Sequence, residues 1–584
     1  MTATQAKFLA LCVLLSIYLS GIGVAFLINN DFGKLDVKSI LISNGGKWIS
    51  GLLYRPISAT AENPQPAIVL AHGISGSKQM LSGIALELAR QGFVALSIDL
   101  VGHGNSEGVF GGDLTDPSLG ALAAVRYLDA QPYVEGFRIG LVGHSLGAGA
   151  IRAAAVAHGN ISASVYIAGG LGEVVAGPAY GMLNSTYPKN LLIAVGEYDV
   201  LFDIGQLKRE LGPAFGVPRE AVPYVLYGNF SCGTARKLIT PSTMHLFEPM
   251  DPTIVSEIVL WMDNALRAAD SRPRPIQGLR LNYLYREAAI LVSALGFVGL
   301  AFSISSLIFD SHLPSARGMK ARYGTLEDWK TLVIWGILGL TLFLPTFIMG
   351  SIISYPPLIF GSSFAWWLLA VAIVGFLMIV LVVPKLSAVR SNPKEMVHGS
   401  FDFKRVVVAV GVFTLLYLIA NLVEAISLVD LRIFVIPMFN DLMPVTRMLT
   451  FFTFVPFAEA YFLVEGLYFH ELHDWSAHEG RLGMAKAVIK AIGIKAFPYA
   501  ALLGVNYVPM IWFDARLLPT FMGFIAEFFW GILPQFIIAM TCSWWFYWKT
   551  SKVGGGATFN ALLIAWSAAA TFPFGASNTL MRFI

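Results

Sequence analysis

The stretch Ile139-Gly140-Leu141-Val142-Gly143-His144-Ser145-Leu146-Gly147-Ala148-Gly149 runs an apolar strand straight into a G-x-S-x-G turn, followed by small residues suited to a helix. This is the pattern of a nucleophile elbow, a strained strand-to-helix turn that lifts a serine hydroxyl clear of a sheet. The flanking glycines fit a turn in which a Cβ would strike the neighbouring strand or helix. A lone G-x-S-x-G arises often by chance, so the strand before it and the helix after it carry the weight. Ser145 is the candidate nucleophile.

Two partners follow in order. The apolar run Asn190–Val195 leads into Gly196-Glu197-Tyr198-Asp199, which puts Asp199 just past a strand end. Lys237-Leu238-Ile239 precedes Pro241-Ser242-Thr243-Met244-His245. A serine hydroxyl is a weak nucleophile; an imidazole must take its proton, and a carboxylate must hold the imidazole in one tautomer. Ser145, His245 and Asp199 supply these roles. Glu197 and Asp203 compete with Asp199 for the acid role, whereas His245 is the only histidine between Asp199 and the membrane segments. The run Ala67–Ala71 exits into His72-Gly73-Ile74. A tetrahedral intermediate needs backbone N–H donors, and Leu146, next after the nucleophile, and Ile74 are the candidates. His72, His103 and His144 read as loop-shaping residues.

With these loops in this order, the chain resembles the α/β-hydrolase superfamily, closest in flavour to dienelactone-hydrolase and prolyl-oligopeptidase-like serine hydrolases. The resemblance covers roughly residues 36–270. It implies a doubly wound, mostly parallel sheet and acyl-enzyme chemistry, and it leaves the substrate open, because one fold serves many chemistries. The segment Asp203–Ser231, with a helix-like Ile204–Leu211, reads either as a lid or as a decorated loop.

The composition is 56% hydrophobic and 13% charged, with a mean hydropathy of +0.65. These averages conceal a sharp division. Residues 29–275 alternate strands and helices with frequent charges, and nearly everything later is long apolar runs. Runs of about 20 apolar residues cross a bilayer. Phe8–Ile28 is one, read as an anchor, with small residues at Gly23 and Ala25 that would also suit cleavage. Further spans are expected at 288–309, 331–354, 364–383, 406–428, 449–470, 496–513, 521–547 and 558–574. The expected architecture is an anchor (1–28), an α/β-hydrolase domain (29–275) and an all-α polytopic domain (276–584), with about nine transmembrane helices in total. Arg272-Pro273-Arg274-Pro275 reads as a stiff linker.

Lysines and arginines concentrate in loops 310–330, 384–405 and 471–495 and at Lys549 and Lys552, and the alternate loops are poor in them. By the positive-inside rule the hydrolase domain is extracytoplasmic, the N-terminus cytoplasmic and the chain a multi-pass protein of the cell membrane. Arg272, Arg274, Arg280 and Arg286 oppose this assignment. Three N-x-S/T sequons, at Asn160, Asn184 and Asn229, fall in the same domain. The three cysteines allow no disulfide within it, and a net charge of +3 gives no case for nucleic acid.

Polar groups inside spans are functional candidates or helix-stitching hydrogen bonders: Glu424, Glu459 and Glu527 first, then Glu465, Asn421 and Asn506. His470 and His473 share a spacing that suits a metal, although a solvated loop explains them as well. No metal or cofactor is expected. The expected partners are membrane lipids, an ester, lipid or peptide substrate, and other subunits of a membrane complex. Three functions stay open: a serine hydrolase acting at the outer face, an acyltransferase on the same triad, and a transporter or structural subunit with an accessory hydrolase domain.

Overall fold

The computed structural model describes residues 2–112, 115–171, 183–267, 279–312, 330, 332–386, 392–433, 436–439, 445–472 and 480–575. The Arg272–Pro275 segment and His473 lie outside them.

Eight strands form one sheet: β1 (Leu35–Asn44), β2 (Lys47–Pro56), β3 (Gln65–Ala71), β4 (Val94–Ile98), β5 (Val134–His144), β6 (Ala163–Ile167), β7 (Leu191–Ala194) and β8 (Arg236–Ile239). Their order is β1-β2-β4-β3-β5-β6-β7-β8. β1–β2 and β2–β4 pair antiparallel, and every later pairing is parallel. Alternate residues of β3 point to opposite faces. Val69 and Ala71 meet Val125 and Ile151, on helices α3 (Ala121–Asp129) and α4 (Leu146–His158). Ile68 and Leu70 meet Leu88 and Ile258, on α2 (Ser82–Arg90) and α6 (Pro252–Arg267). Both faces are covered, which is why the central strands read as unbroken apolar runs rather than alternating ones. This is the doubly wound α/β-hydrolase architecture.

Helix α5 (Ile204–Ala214) buries Leu207 and Leu211 in the same cluster as the α3–α4 face of the sheet. The helix of the 203–231 segment therefore packs on the sheet.

Eight helices among the described residues are long and apolar enough to cross a membrane. They are α1 (Ala3–Asn29), α7 (Tyr283–His312), α8 (Ile337–Ile353, continued upstream by a π turn), α9 (Gly361–Leu381), α10 (Phe403–Ser427), α11 (Val445–Gly466), α12 (Gly480–Phe513) and α13 (Thr520–Thr550). The last expected span forms α14 (Gly554–Thr571), 18 residues long and packed against α10, α11 and α13. Helix α1 lies along α7 at short range. A Cβ on Gly21 would sit 2.8 Å from Ala289 O, and one on Gly296 2.8 Å from Tyr18 N. Small residues at such crossings let backbones approach, and Ser293 Oγ donates to Tyr18 O at 2.9 Å. The first helix is thus built into the bundle.

One sequence expectation needs correction. The 471–495 segment reads as a basic loop, but a helix already runs from Gly480, through Pro498, to Phe513. Lys495 is a buried residue 2.6 Å from Glu465 on α11. Its charge is paired inside the bundle, which no loop count can reveal.

The sheet domain sits on one end of the bundle. Tyr54 Oη donates to Asn29 Oδ1 (3.0 Å), and Arg286 Nη1 reaches the same oxygen (2.9 Å). Arg432 pairs with Glu287 (2.7 Å) and Asp430 (2.6 Å) and donates to Gln79 O. Arg447 donates to Gly102 O (2.8 Å) and Ala569 O (2.7 Å). Phe574 N donates to Gly102 O (2.8 Å), and Phe110 N to Phe574 O (2.9 Å). Phe110 and Val200 of the sheet domain belong to the hydrophobic core of the bundle.

Candidate active site

β5 ends at His144 and α4 begins at Leu146, so Ser145 alone makes the turn, at φ 52° and ψ −117°. A non-glycine residue with positive φ costs roughly 1–3 kcal/mol and persists only when its surroundings enforce it. Here they do. Ser145 N donates to Ile167 O on β6 at 2.8 Å. A Cβ on Gly147 would lie 2.1 Å from Ala71 O, and one on Gly143 2.4 Å from Gly147 O. The glycines of the motif are there because β3, β5 and α4 meet at backbone distance.

Ser145, Asp199 and His245 follow β5, β7 and β8 respectively, and the sheet gathers them at its C-terminal edge. His245 Nε2 lies 3.1 Å from Ser145 Oγ, and His245 Nδ1 lies 2.8 Å from Asp199 Oδ2. The other Asp199 oxygen accepts from Leu201 N at 2.7 Å. An ionised carboxylate can only accept, so Nδ1 carries the proton and Nε2 is bare toward Ser145. Burial pulls the His245 pKa down, but the charge and hydrogen bond of Asp199 outweigh it, and the net shift is upward. The two competing acids have other work. Glu197 accepts from Ser242 Oγ at 2.8 Å, and Asp203 caps α5 through Gln206 N at 2.7 Å.

Ile74 lines the cavity above Ser145. Leu146 N is the first amide of α4, where the helix itself offers no acceptor. A Cβ on Gly73 would come within 3.1 Å of Ser145 Cβ, so the backbone beside Ile74 approaches the nucleophile closely. The three neighbouring histidines hold the loops. His72 Nδ1 pairs with Gly73 O (2.7 Å) and its Nε2 accepts from Leu100 N (3.1 Å). His103 Nδ1 pairs with Val101 O (3.1 Å), and His144 Nε2 with His245 O (3.1 Å). Burial, as the largest cause, lowers the pKa of all three. Asp99 fastens the loop after β4, accepting from Lys78 Nζ (2.9 Å), Lys78 N (2.6 Å) and Asn105 N (2.9 Å).

Glu248 did not stand out in the sequence, although it is only three residues past His245. It is fully buried. Oε1 accepts from Gly196 N at 2.5 Å, and Oε2 lies 3.4 Å from His144 Nε2 and 4.0 Å from His245 Nδ1. Burial first, and then the Asp199 charge, pushes its pKa well above the usual carboxylate range. His144, His245 and Glu248 bring potential metal-ligating atoms within 4.8 Å of one another. A cation there would compete with Ser145 or Asp199 for His245.

The membrane helices supply part of the wall of the site. Ser145 and His245 line a cavity whose remaining walls include Phe364 of α9, Phe524, Glu527 and Phe528 of α13, and Ser567 and Thr571 of α14. The Phe524 ring stands edge-on to the His245 ring, 6.1 Å between centroids. Arg516 donates to the backbone carbonyls of Asp199 and Val200 (3.0 and 3.1 Å) and of Phe202, tying the loop before α13 to the acid.

Residues 62–192 match the family model described as serine aminopeptidase, S33. Among solved structures, an esterase from Pyrococcus furiosus shares 17% identity over 41% of this chain and 96% of its own (TM-score 0.31). A Pyrobaculum calidifontis esterase shares 17% over 43% and 94% (TM-score 0.31). A dienelactone hydrolase from Anabaena variabilis shares 19% over 39% and 94% (TM-score 0.28). No curated protein matches the chain. The sheet domain is a serine hydrolase of the α/β-hydrolase fold.

The carboxylates of the membrane part of this hydrolase go to different places. Glu459 accepts from Thr558 Oγ1 (2.9 Å), joining α11 to α14, and Glu465 pairs with Lys495 of α12. Glu424 is buried near the end of α10, whose cap, Leu428 N, donates to Glu424 O. Asn421 Nδ2 donates to Tyr417 O within its own helix (2.8 Å), and Asn506 is buried on α12. Glu527 alone of these lines the cavity at Ser145, and it accepts from Tyr507 Oη. His470 Nε2 pairs with Ser543 Oγ at 2.8 Å.

Proposed function

We propose that this protein cleaves an ester, thioester or amide at the outer face of the cell membrane, with Ser145 as nucleophile, His245 as general base and Asp199 as its orienting acid. The hydrogen-bonded relay Asp199–His245–Ser145 is the observation that carries this reading. Ser145 Oγ attacks the acyl carbonyl carbon while its proton passes to His245 Nε2. The leaving alcohol, thiol or amine takes that proton as the C–O, C–S or C–N bond breaks. Water, deprotonated by the same imidazole, then attacks the acyl-enzyme, releasing the acid and restoring Ser145. The N–H groups of Leu146 and Ile74 hold the oxyanion; the position of Leu146 N at the start of a helix supports its part, because helix N-termini favour negative charge.

The outer-face assignment is supported by where basic residues fall. The hydrolase meets the bundle through Asn29, Asp31, Asn282, Tyr283, Arg432, Arg516 and Phe574. The arginines near this end, Arg286, Arg432, Arg447 and Arg516, are engaged in protein contacts. Lys404, Arg405, Lys549 and Lys552 belong to the opposite end of the helices. Arg286, which opposed the assignment in the sequence, is such a contact.

An acyl-transfer outcome is favoured by one feature, the largely apolar lining that α9, α13 and α14 give the cavity at Ser145. A membrane-impermeant fluorophosphonate tests the core of the proposal on sealed right-side-out vesicles. Labelling of wild type, with none of Ser145→Ala or His245→Ala, is expected. Labelling only after permeabilisation would invert the topology, and no labelling in either case would remove the serine-hydrolase mechanism.

A further inference from the structure

The cavity at Ser145 has a length and a direction. On α13 its wall is made by Phe524, Glu527, Phe528, Gly531, Ile532 and Gln535. Their spacing of three and four residues puts them on one face of the helix. Phe524 touches the reaction centre through His245. Gln535 lies eleven residues further along, about 16 Å at 1.5 Å per residue. There the wall ends in a hydrogen bond across to α14, Gln535 Nε2 to Ser567 Oγ at 2.7 Å. One leaflet of hydrocarbon is about 15 Å deep, half of a 30 Å core.

Resting on the serine-hydrolase reading above, we infer that this channel holds the long unbranched acyl chain of a lipid ester, with its carbonyl at Ser145 and its methyl end toward Gln535. The acyl part, rather than the alcohol, occupies it for a chemical reason. During the acyl-enzyme stage the acyl group stays bonded to Ser145 Oγ, so it can remain in the channel until water releases it. The released alcohol must leave before water attacks, so it departs on the other side. Hydrolysis frees a fatty acid and the lipid's alcohol.

Purified full-length protein in detergent is assayed against p-nitrophenyl butyrate, octanoate and palmitate and against hexadecyl acetate. Wild type is expected to show kcat/KM rising with acyl length by about tenfold or more, since each buried methylene adds favourable transfer energy. Ile532→Trp and, from the opposite wall, Ala568→Phe are expected to cut the palmitate-to-butyrate ratio by about tenfold or more, the scale of a steric change in an apolar pocket. Leu418→Trp, on an exposed face of α10, controls for bulk and should leave the ratio as it is. A wild-type preference for hexadecyl acetate, or a ratio that both wall variants leave unmoved while still labelling with fluorophosphonate, overturns the acyl-chain assignment alone. If both variants fail to label, the wild-type chain-length profile decides, and a flat profile overturns it. Failure of wild type to hydrolyse any ester or to label overturns the serine-hydrolase reading, and the assignment with it.

Discussion

Asp199→Asn is the substitution from which most can be learned. In the native site, one Asp199 oxygen accepts from Leu201 N at 2.7 Å and the other from His245 Nδ1 at 2.8 Å. An asparagine has one oxygen and one NH2. The Leu201 amide is a fixed donor, so the oxygen stays there and the NH2 turns to His245. An NH2 can only donate, so Nδ1 must accept, and the imidazole proton moves to Nε2, facing Ser145. That tautomer cannot take the serine proton. The loss of kcat should be about 10⁴-fold, the scale of a triad held in the wrong tautomer, or about 5 kcal/mol of barrier. The pH profile should change as well. With Asp199 in place the His245 pKa is raised above 6.5, so the wild-type rate climbs with pH through a midpoint above 6.5, where the base form appears. Without the carboxylate charge, burial dominates and the midpoint of the residual activity falls below 6.5. Hydrolysis of a p-nitrophenyl ester from pH 5 to 9 would measure both. A loss of under about tenfold would refute the reasoning, because triad acids contribute far more. If Glu248→Gln then caused the large loss, the acid role would pass to Glu248, whose Oε2 stands 4.0 Å from the same nitrogen.

Three further outcomes follow from the same contacts. Lys78→Met leaves the buried Asp99 carboxylate without its cation, at a cost of about 3–5 kcal/mol, read as a lower unfolding temperature of the purified protein. Although burial opposes ionisation, Lys78 and the surrounding donors hold the Asp99 pKa below its usual value. Its stabilisation is therefore complete above about pH 3.9, the unfolded carboxyl value, and is lost as pH falls through the lower folded value, so the wild-type advantage over Lys78→Met should shrink on acidification below that point. Gly147→Ala places a Cβ 2.1 Å from Ala71 O; backbone cannot yield as a side chain can, and fluorophosphonate labelling should vanish. Arg516→Ala removes the donors to the carbonyls of Asp199, Val200 and Phe202; esterase activity should drop by about tenfold, as expected when catalytic groups are misplaced, and Arg516→Lys should restore only part of it because a lysine lacks the planar fork.

Much of the fold was legible because it is written locally. The two-residue period of strands, the unbroken apolar character of β3 to β7, the small residues around Ser145 and the length of the apolar runs are each properties of neighbouring residues. The strand-end positions of Ser145, Asp199 and His245, and their order, were readable for the same reason. Lys495 shows where this fails, since a lysine at the end of a basic segment reads as loop until Glu465 of another helix pairs with it. Glu248 was passed over because a carboxylate three residues past a histidine has no meaning until Gly196 and His144 close around it. On α13 the stripe from Phe524 to Gln535 has helical spacing in plain view, yet spacing says only that one face differs from the other. What that face meets depends on how the two halves of the chain dock, through Arg432, Arg447, Arg516 and Phe574. The sequence by itself determined a hydrolase sheet, the strand-end positions of Ser145, Asp199 and His245 and a set of membrane spans, since each rests on short-range periodicity and sterics. Only the tertiary structure decided that the spans wall the serine, because that contact joins residues far apart in the chain whose individual patterns carry no record of each other.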